Sequence, residues 1–387
     1  MSGFTYYTPT KVVFGVGAEA QVGKLVKERA CKKVLIHYGS GSVVRTGLLD
    51  KVKASLDAEG IAWVELGGVV PNPHLSKARE GIALCQAEGV DFLLAVGGGS
   101  VIDSCKCIGY GVANPGDVWD FYEGKREPEA CLPIGCVLTI AAAGSEMSNS
   151  SVITNEEGWL KRDCSSDLSR PVFSVLDPEL TMTLPDYQTA CGCVDIMMHT
   201  MERYFNSVPD NLDLTDGIAE ALMRTVVDNA RILAKDPKNL KARTEIMWAG
   251  SLAHNGLTGC GGEGDWCTHL LEHEMGGMFD VAHGAGLAAI WASWARYVWT
   301  YAPDRFVKFA VRVMGVEPTG TDAEIVEKGI CAVEDFYREI NMPTNMRELG
   351  IAPTEEQIAE MAEKSVAEGS VKKLTREDMV AIYKAAL

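Results

Sequence analysis

The chain has 387 residues, of which 47% are hydrophobic and 23% charged, a composition typical of a globular protein of one or two domains. Its formal net charge of −17 disfavours nucleic acid and anionic membrane surfaces as partners. No apolar run reaches the roughly 18 residues that span a bilayer. The first residues lack the basic start and apolar core of a signal peptide, so we expect a cytoplasmic protein that does not bind membranes.

The first part of the chain alternates short apolar strands with helices. Strands are predicted over residues 11–14, 33–38, 61–66, 91–96, 132–139, 148–154 and 172–176. Helices are predicted over 18–29, 48–59, 76–88 and 101–110. A polar hairpin that carries Lys161 and Arg162 separates the last two strands. This alternation predicts a mainly parallel sheet with helices on its faces, and such sheets bind ligands at the carboxyl ends of their strands.

Two glycine-containing turns follow the first two predicted strands. Gly15-Val-Gly17, with Ala20 in place of a third glycine, imitates the dinucleotide fingerprint. The fingerprint also requires an acidic residue after the next strand, which here ends in Gly39-Ser40-Gly-Ser42 instead. The first turn is therefore either a weak nucleotide site or purely structural. The second leaves room for a 2′-phosphate, or is an ordinary loop.

The strongest phosphate-binding pattern is Gly97–Ser100, which lies between the strand 91–96 and the helix 101–110. Three glycines allow close approach of the backbone to a pyrophosphate, and a helix N-terminus supplies N–H groups and a positive dipole end. Asp103 follows in the first turn of that helix, where it can cap N–H groups or meet a cofactor amide. A second run of small residues, 140–146, is a candidate for lining the same ligand.

The sequence changes character near residue 184, and from there only helices are predicted. They cover residues 186–205, 211–234, 238–257, 263–278, 284–301, 303–314, 321–340, 355–366 and 375–386. We therefore predict two domains, an α/β dinucleotide-binding domain over 1–184 and an all-helical domain over 185–387, which binds the metal and the substrate.

Spaced histidines mark the helical half. Asp195 and His199 are four residues apart, as are His269 and His273, so each pair projects from one helix face. His283 follows shortly after. Imidazoles with one carboxylate suit zinc, iron or another divalent transition metal. The alternative is that these are separate polar side chains on solvated helix faces.

Taken together, five motifs in chain order resemble those of the iron-containing (group III) alcohol dehydrogenases. They are Gly97–Asp103, Gly144–Glu146, Asp177–Leu180, Asp195–Tyr204 and His269–Gly284. The similarity is greatest to the NADPH-dependent butanol dehydrogenase and aldehyde reductase branch. It implies a dehydroquinate-synthase-like fold, with a nucleotide-binding domain followed by a helical domain.

The resemblance also implies roles for individual residues. The metal ligands would be Asp195, His199, His269 and His283, and the ion would be Fe²⁺, with Zn²⁺ or Mn²⁺ as alternatives. His273 matches a histidine near metal and substrate, which gives it a catalytic role as proton relay or substrate contact. The positions that match NADP(H)-contacting residues are Gly39, Ser40, Ser42, Asn72, Gly98, Gly99, Ser100, Asp103, Thr139, Ser145, Lys161 and Leu180.

One departure from the family pattern falls in residues 138–146. Ile140 and Ala143 occupy positions where hydroxyl residues or proline are commoner. Ala143 therefore has no hydroxyl for the cofactor hydrogen bond that a threonine usually makes there.

The function implied by the resemblance is the interconversion of primary alcohols and aldehydes by a homodimer. The expected direction is aldehyde reduction, and the expected substrates are of the butanol type. His254, Trp266, Cys267 and Phe279 are candidates for lining the substrate pocket or for ordinary packing. Two other functions stay open at this point. His269-x-x-Glu272-His273 matches an inverted zinc-peptidase motif, with Glu272 as general base. A dehydroquinate-synthase-like lyase also pairs a nicotinamide with a metal.

Overall fold

A computed structural model describes residues 3–206 and 212–387 and divides the chain into two compact units. The first is Tyr7–Thr183; the second contains Leu184–Leu387 together with the N-terminal segment up to Tyr6. The predicted domains, 1–184 and 185–387, divide the chain near the same residue, whereas the N-terminal segment groups with the second unit. Each unit is described by itself below.

The first unit is built on a parallel sheet of six strands. They are β1 (Lys11–Phe14), β2 (Lys33–Gly39), β3 (Ala62–Val69), β4 (Phe92–Gly97), β5 (Ile134–Leu138) and, after a hairpin described below, β8 (Phe173–Leu176). The spatial order is β1-β8-β5-β4-β2-β3, and every neighbouring pair is parallel. β4 is buried along its whole length, as its unbroken apolar sequence predicts for a central parallel strand.

Helices connect these strands and cover the sheet. They are α1 (Val22–Lys27), α2 (Ser42–Arg45), α3 (Leu48–Ala58), α4 (Leu75–Glu88), α5 (Gly99–Ala113) and α6 (Trp119–Tyr122). The predicted helix 18–29 is a 3₁₀ turn, Ala18–Gln21, followed by the short α1. The four-residue helices α2 and α6 were not predicted, because one turn is too short to show a hydrophobic period.

The order of the strands places a topological switch between β2 and β4. From β2 the chain crosses to β3 on one side, and from β4 it crosses to β5 on the other. Ligands of parallel α/β sheets bind outside the carboxyl ends of the strands at such a point. The polar hairpin consists of β6 (Ser150–Asn155) and β7 (Leu160–Ser165), which pair antiparallel in a separate sheet.

The second unit is helical throughout its described residues. Its helices are α7 (Asp186–Tyr204), α8 (Asp213–Leu233), α9 (Leu240–His254), α10 (Cys267–Phe279), α11 (His283–Val298), α12 (Pro303–Arg312), α13 (Asp322–Glu339), α14 (Met346–Leu349), α15 (Glu355–Lys364) and α16 (Arg376–Ala385). Residue 211, the predicted start of the second of these, lies outside the described residues. Capping boxes at Thr321, Thr354 and Thr375 begin three of the helices.

The predicted fold class, an α/β nucleotide-binding domain followed by an all-α domain, is therefore confirmed. The largest boundary error concerns α10, which was predicted to begin at residue 263. It begins at Cys267 because Trp266 has a left-handed backbone, with φ of 63°. In the described part of the chain, no helix is both long and apolar enough to cross a membrane.

Candidate metal centre and cofactor turns

The spaced residues of α7 and α10 meet in the interior of the second unit. Asp195 and His199 lie on successive turns of α7, and His269 lies in the first turns of α10. All three side chains are buried, and each offers one potential ligand atom within 4.8 Å of the others. The alternative, that they are separate polar groups on solvated helix faces, is wrong because all three are buried.

Asp195 Oδ1 is the centre of this arrangement. It lies 3.2 Å from His199 Nδ1, 3.8 Å from His269 Nε2 and 3.7 Å from His283 Nε2. Ligand atoms about 2.1 Å from one ion at tetrahedral angles stand about 3.4 Å apart. The observed separations are therefore close to the distance expected between two ligand atoms bound to the same metal ion.

The hydrogen bonding of these atoms supports the same interpretation. Within residues 3–206 and 212–387, Asp195 Oδ1, His199 Nδ1 and His269 Nε2 are buried and make no hydrogen bond. Buried polar atoms without partners are costly and rare, and three of them converge here. Burial also lowers the pKa of His199 well below its ordinary value, which keeps the imidazole neutral and able to ligate. These residues fit a divalent ion.

Two further carboxylates contact the Nδ1 atoms of His269 and His283 and fix the orientation of their rings. Glu202 Oε1 accepts from the backbone N–H of His269 at 3.0 Å and lies 3.2 Å from its Nδ1. Glu272 Oε2 forms a short contact with Nδ1 of His283. A histidine that donates from Nδ1 directs the lone pair of Nε2 at the metal. The role of Glu202 was not predicted from the sequence. The pattern that could have indicated it is a carboxylate one turn beyond His199 on the same helix face.

The position of Glu272 also decides against the peptidase hypothesis. Glu272 is fully buried, and its carboxylate contacts His283. The general base of a metallopeptidase faces the metal-bound water instead. His273 is not a member of the buried group formed by Asp195, His199 and His269.

Close helix packing fixes the place of His283. A Cβ at Gly284 would stand 2.1 Å from the carbonyl oxygen of Cys191, on α7. A Cβ at Gly286 would stand 2.8 Å from the Cγ of Glu272. Both positions therefore require glycine, and the first turn of α11 lies directly against the helix that carries Asp195.

An aromatic group adjoins the metal residues. The ring of His254 lies 4.1 Å from that of His199, and the ring of Trp266 lies 5.5 Å from that of His269, between centroids. The guanidinium of Arg203 stacks 4.5 Å from the Trp266 ring. The buried His273 ring has its centroid 6.0 Å from that of His283. These side chains border the cluster without belonging to its ligand atoms.

In the first unit, most of the predicted cofactor residues follow the carboxyl ends of parallel strands. Gly39 is the last residue of β2, and Ser40 and Ser42 follow it; Asn72 follows β3; Gly98, Gly99 and Ser100 follow β4; Thr139 follows β5; Leu180 follows β8. Parallel strands end at one edge of a sheet, so these segments are neighbours. Of the others, Asp103 and Ser145 are treated below, and Lys161 is buried within β7.

The glycine turn at 97–100 lies against the second run of small residues. A Cβ at Gly98 would stand 3.1 Å from Ile140, and one at Gly99 would stand 2.9 Å from the Cβ of Ala143. Thr139 N–H donates to the Gly97 carbonyl at 3.0 Å. Gly98 is the N-cap of α5 and has no side chain to cap its first N–H groups. The two turns thus form one surface at a helix N-terminus, which fits a pyrophosphate.

Asp103 and Ser145 bond to each other. Ser145 Oγ donates to Asp103 Oδ1 at 2.5 Å, and the backbone N–H of Val152 donates to Asp103 Oδ2 at 3.0 Å. Asp103 therefore ties Ser145 and β6 to α5, and the cap and the cofactor contact that were suggested for it stay predictions.

The glycines after β1 have a structural explanation. Gly17 is left-handed with φ of 77°, and its N–H donates to Asp177 Oδ2 at 2.8 Å. Asp177 Oδ1 also accepts from the backbone of Glu179. The weak fingerprint at Gly15-Val-Gly17 is thus a turn fixed by a side chain from the Asp177–Leu180 motif.

Comparison with known proteins agrees with this geometry. Residues 9–178 match the family model for iron-containing alcohol dehydrogenase, and residues 189–387 match that for the C-terminal region of the Fe-containing alcohol dehydrogenase family. A probable NADH-dependent butanol dehydrogenase of Bacillus subtilis is 41% identical over 100% of both chains. The NADPH-dependent aldehyde reductase YqhD of Escherichia coli is 36% identical over 91% of this chain and 90% of its own.

A solved structure shares the whole fold. The NADH-dependent butanol dehydrogenase A of Thermotoga maritima superposes with a TM-score of 0.95 at 37% identity, covering 100% of this chain and 99% of that one. The parallel sheet, the glycine turns and the buried Asp–His cluster are thus accompanied by sequence similarity along the full length. The chain belongs to the iron-containing alcohol dehydrogenase family.

Proposed function

We propose that this protein is a metal-dependent alcohol dehydrogenase that reduces aldehydes to primary alcohols with NADPH, and that its substrates are short, butanol-type chains. The observation that carries the proposal is the convergence of three imidazole nitrogens on Asp195 Oδ1 at 3.2 to 3.8 Å. A glycine turn at a helix N-terminus in the other unit supplies the complementary cofactor site.

The proposed ligands are Asp195, His199, His269 and His283, with Fe²⁺ as the ion. A bound divalent ion supplies Lewis-acid polarisation of the substrate oxygen. Asp195 contributes the only negative charge of the proposed ligand set. Glu202 and Glu272 hold His269 and His283 in one ring orientation.

We assign His273 to the substrate or to proton transfer rather than to the metal. Its ring lies one helical turn beyond His269 and 6.0 Å from the His283 ring, between centroids. An imidazole titrates near neutral pH and can pass a proton to or from an oxygen within hydrogen-bond reach. His273 would thus exchange the proton that accompanies alcohol formation.

For the cofactor we propose the residues at the carboxyl edge of the sheet. The nicotinamide carries the hydride. The first N–H groups of α5, near Gly98, Gly99 and Ser100, would bind the pyrophosphate. Thr139 and Ser145 adjoin this turn. Asn72, Asp103, Lys161 and Leu180 complete the proposed set.

The choice of NADPH rests on the turn after β2. Ser40 and Ser42 are exposed, and no acidic residue stands between Gly39 and Gly47 to repel a 2′-phosphate. Relatives at comparable identity are named NADH-dependent as well as NADPH-dependent. The deciding measurement is kcat/KM for both cofactors in wild type and in Gly39→Asp, because a Cβ at this position meets nothing closer than 3.5 Å.

We expect wild type to prefer NADPH and Gly39→Asp to lose that preference, because a carboxylate there repels the 2′-phosphate and accepts from a ribose hydroxyl. Gly39→Asn, of equal size and without charge, is the control and keeps the wild-type ratio. A wild-type preference for NADH of tenfold or more would refute the assignment of this turn.

The whole proposal is tested by elemental analysis of the purified protein, coupled to oxidation of NADPH with a series of linear aldehydes. We expect about one divalent metal per chain and turnover that falls to background after chelation and returns with Fe²⁺. Turnover that persists in chelated, metal-free protein would refute the metal-dependent reaction.

We further propose that the enzyme is a cytoplasmic homodimer. All twelve cysteines are free thiols, as in a reducing compartment. Light scattering of the purified protein measures the mass directly, and a monomer at micromolar concentration would exclude the dimer.

A further inference from the structure

The segment between β5 and β6 lies outside any sheet or helix, and its residues 145–148 are almost inaccessible to solvent. Among the described hydrogen bonds, the one backbone donor to a carbonyl of these four residues is the N–H of Ser148, which lies 3.4 Å from the Ser145 carbonyl oxygen. Buried carbonyls must be paired, so side chains supply the other donors. Ser174 donates to the Glu146 carbonyl at 2.6 Å, and Arg170 donates to that of Met147 at 2.8 Å.

Lys106 supplies most of the remaining donors. It is the largest charged side chain that is fully buried, and it extends from α5 into this segment. Its Nζ lies 2.8 Å from the carbonyl oxygen of Ser145, 3.0 Å from that of Ser148 and 2.7 Å from that of Ser150. It also contacts the hydroxyls of Ser145 at 2.9 Å and Ser148 at 3.2 Å.

Asp103 and Lys106 act from the same face of α5. They are one turn apart, and Ser145 Oγ donates to the carboxylate while it accepts from the ammonium. Burial lowers the pKa of Lys106 to about 8, so the ammonium form with three N–H donors prevails at neutral pH. A buried charge is tolerated when it is hydrogen-bonded and lies near an opposite charge. Carbonyl and hydroxyl oxygens surround the Lys106 ammonium, and the Ser145 hydroxyl links it to the Asp103 carboxylate.

The segment that Lys106 holds is continuous with the proposed cofactor surface. Ile140 and Ala143 of the same connection lie against Gly98 and Gly99, at the N-terminus of α5. Lys106 lies two turns further along that helix. The helix α5 therefore has the proposed pyrophosphate site at its N-terminus and, in its middle, Lys106, which binds the adjoining turn.

We infer that Lys106 is a positioning residue of the cofactor site. It holds the turn 139–148 against the glycine turn 97–100, so that both turns are already in position when a nicotinamide dinucleotide binds. This inference rests on the proposed function. Lys106 touches neither cofactor nor substrate and acts through the position of Ser145. Its loss would raise the dissociation constant of the cofactor without emptying the metal site.

The test compares Lys106→Met with wild type in the metal-loaded enzyme. We expect the dissociation constants of NADH and NADPH, measured by nicotinamide fluorescence, to rise about tenfold to hundredfold, since a displaced binding group of this kind costs that much. Metal content should stay at the wild-type level. The same KM shift should appear for the cofactor in steady-state assays, with a smaller change in kcat at saturation.

Arg243→Met is the matched control. Arg243 is also a buried cation, and it donates to Thr189 and to the Pro237 carbonyl in the second unit. Its loss should lower the melting temperature without changing cofactor affinity. If Lys106→Met melts lower but binds cofactor within twofold of wild type, the inference is wrong and Lys106 is purely structural.

A milder variant keeps the test decisive if Lys106→Met does not fold. Ser148→Ala removes one hydroxyl that Lys106 contacts and leaves the ammonium and its carbonyl partners. We expect about a threefold weaker cofactor affinity, because one hydrogen bond to a charged group is lost. Unchanged affinity in this variant would then overturn the inference. A wild-type enzyme that binds neither cofactor would instead refute the proposed function itself.

Discussion

Two histidines one helical turn apart on α10 have different surroundings. His269 contributes Nε2 to the buried cluster around Asp195, while His273 lies outside it. We therefore predict that His269→Ala abolishes metal retention, because it removes one of the four proposed ligands. His273→Ala should keep the metal and lose most of the turnover. Metal per chain, measured after gel filtration, distinguishes the two variants.

Each of these two variants is the control for the other, because both changes remove an imidazole from the same helix. Equal loss of metal in His269→Ala and His273→Ala would contradict the assignment. It would favour a site that uses both histidines of the His-x-x-x-His pair.

A carboxylate that contacts Nδ1 of a ligating histidine fixes the orientation of the ring and raises the basicity of Nε2. Glu272 contacts Nδ1 of His283, and Glu272→Gln keeps the size of the side chain while it removes the charge. We expect the metal dissociation constant to rise about tenfold to hundredfold, as is usual for partners of ligating histidines. Competition with a chromogenic chelator measures this change.

Glu220→Gln provides the comparison for a buried carboxylate outside the centre. Glu220, on α8, accepts from the hydroxyl of Tyr204, the last residue of α7, at 3.0 Å. Metal affinity should not change in this variant. An equal loss in both would mean that Glu272 acts through overall stability and not through His283.

At the scale of the helices, the contact between α11 and α7 sets the geometry of the metal centre. A methyl group at Gly284 would meet the backbone of Cys191 at 2.1 Å. We predict that Gly284→Ala displaces the first turn of α11 together with His283, with a loss of about 1–3 kcal/mol in unfolding free energy. The metal dissociation constant should rise at least about tenfold, as chelator competition would measure.

Gly217→Ala is the control for a helical glycine. Nothing lies within 4 Å of a Cβ at this position in α8. The change should stabilise the protein by up to about 1 kcal/mol through helix propensity and leave metal binding unchanged. Gly284→Ala with normal metal affinity would show that α11 shifts without moving His283.

The elements themselves were largely predictable. Long helices with a clear apolar period, such as α7, α8 and α13, follow their predicted limits within a few residues. The start of α10 did not, because Trp266 takes a left-handed conformation that its residue type disfavours. Glycine spacing indicated a tight turn after β4, and the small residues 140–146 indicated a second turn beside the same ligand. Which residues make the contact, Ile140 with Gly98 and Ala143 with Gly99, depends on the tertiary fold and could not be predicted.

At the scale of the whole molecule, the metal and the cofactor are assigned to different units. We predict that removal of the metal increases hydrogen exchange in α7, α10 and α11, whose side chains would then leave buried polar atoms without partners. Exchange in α3 of the first unit should not change. Mass spectrometry of peptic fragments before and after chelation provides the measurement.

Addition of Fe²⁺ should restore protection, with stabilisation that grows with the logarithm of its concentration. Increased exchange in α3 equal to that in α10 would contradict a metal site confined to the second unit.

The alternation of strands and helices predicted the two-part architecture, and helical spacing predicted that Asp195 would lie beside His199. The set of four proposed ligands followed only from the family resemblance. The sequence could not reveal which carboxylates lie behind the histidines. Glu202 meets His269 across 67 positions of sequence, and only the packing of α7 on α10 brings them together. Strand order was equally hidden, because alternation of strands and helices predicts parallel pairing but not which neighbours pair.

The contact at Gly284 has a consequence for how this protein can change by mutation. The atoms that exclude a side chain there belong to the main chain of Cys191, which every amino acid shares. A larger residue at 284 therefore has no compensating partner at 191, in contrast to Gly98, which faces the replaceable side chain of Ile140. A larger residue at position 98 can therefore be accommodated by a second substitution at position 140. At position 284 no second substitution makes room, so only a return to glycine restores the contact between α11 and α7.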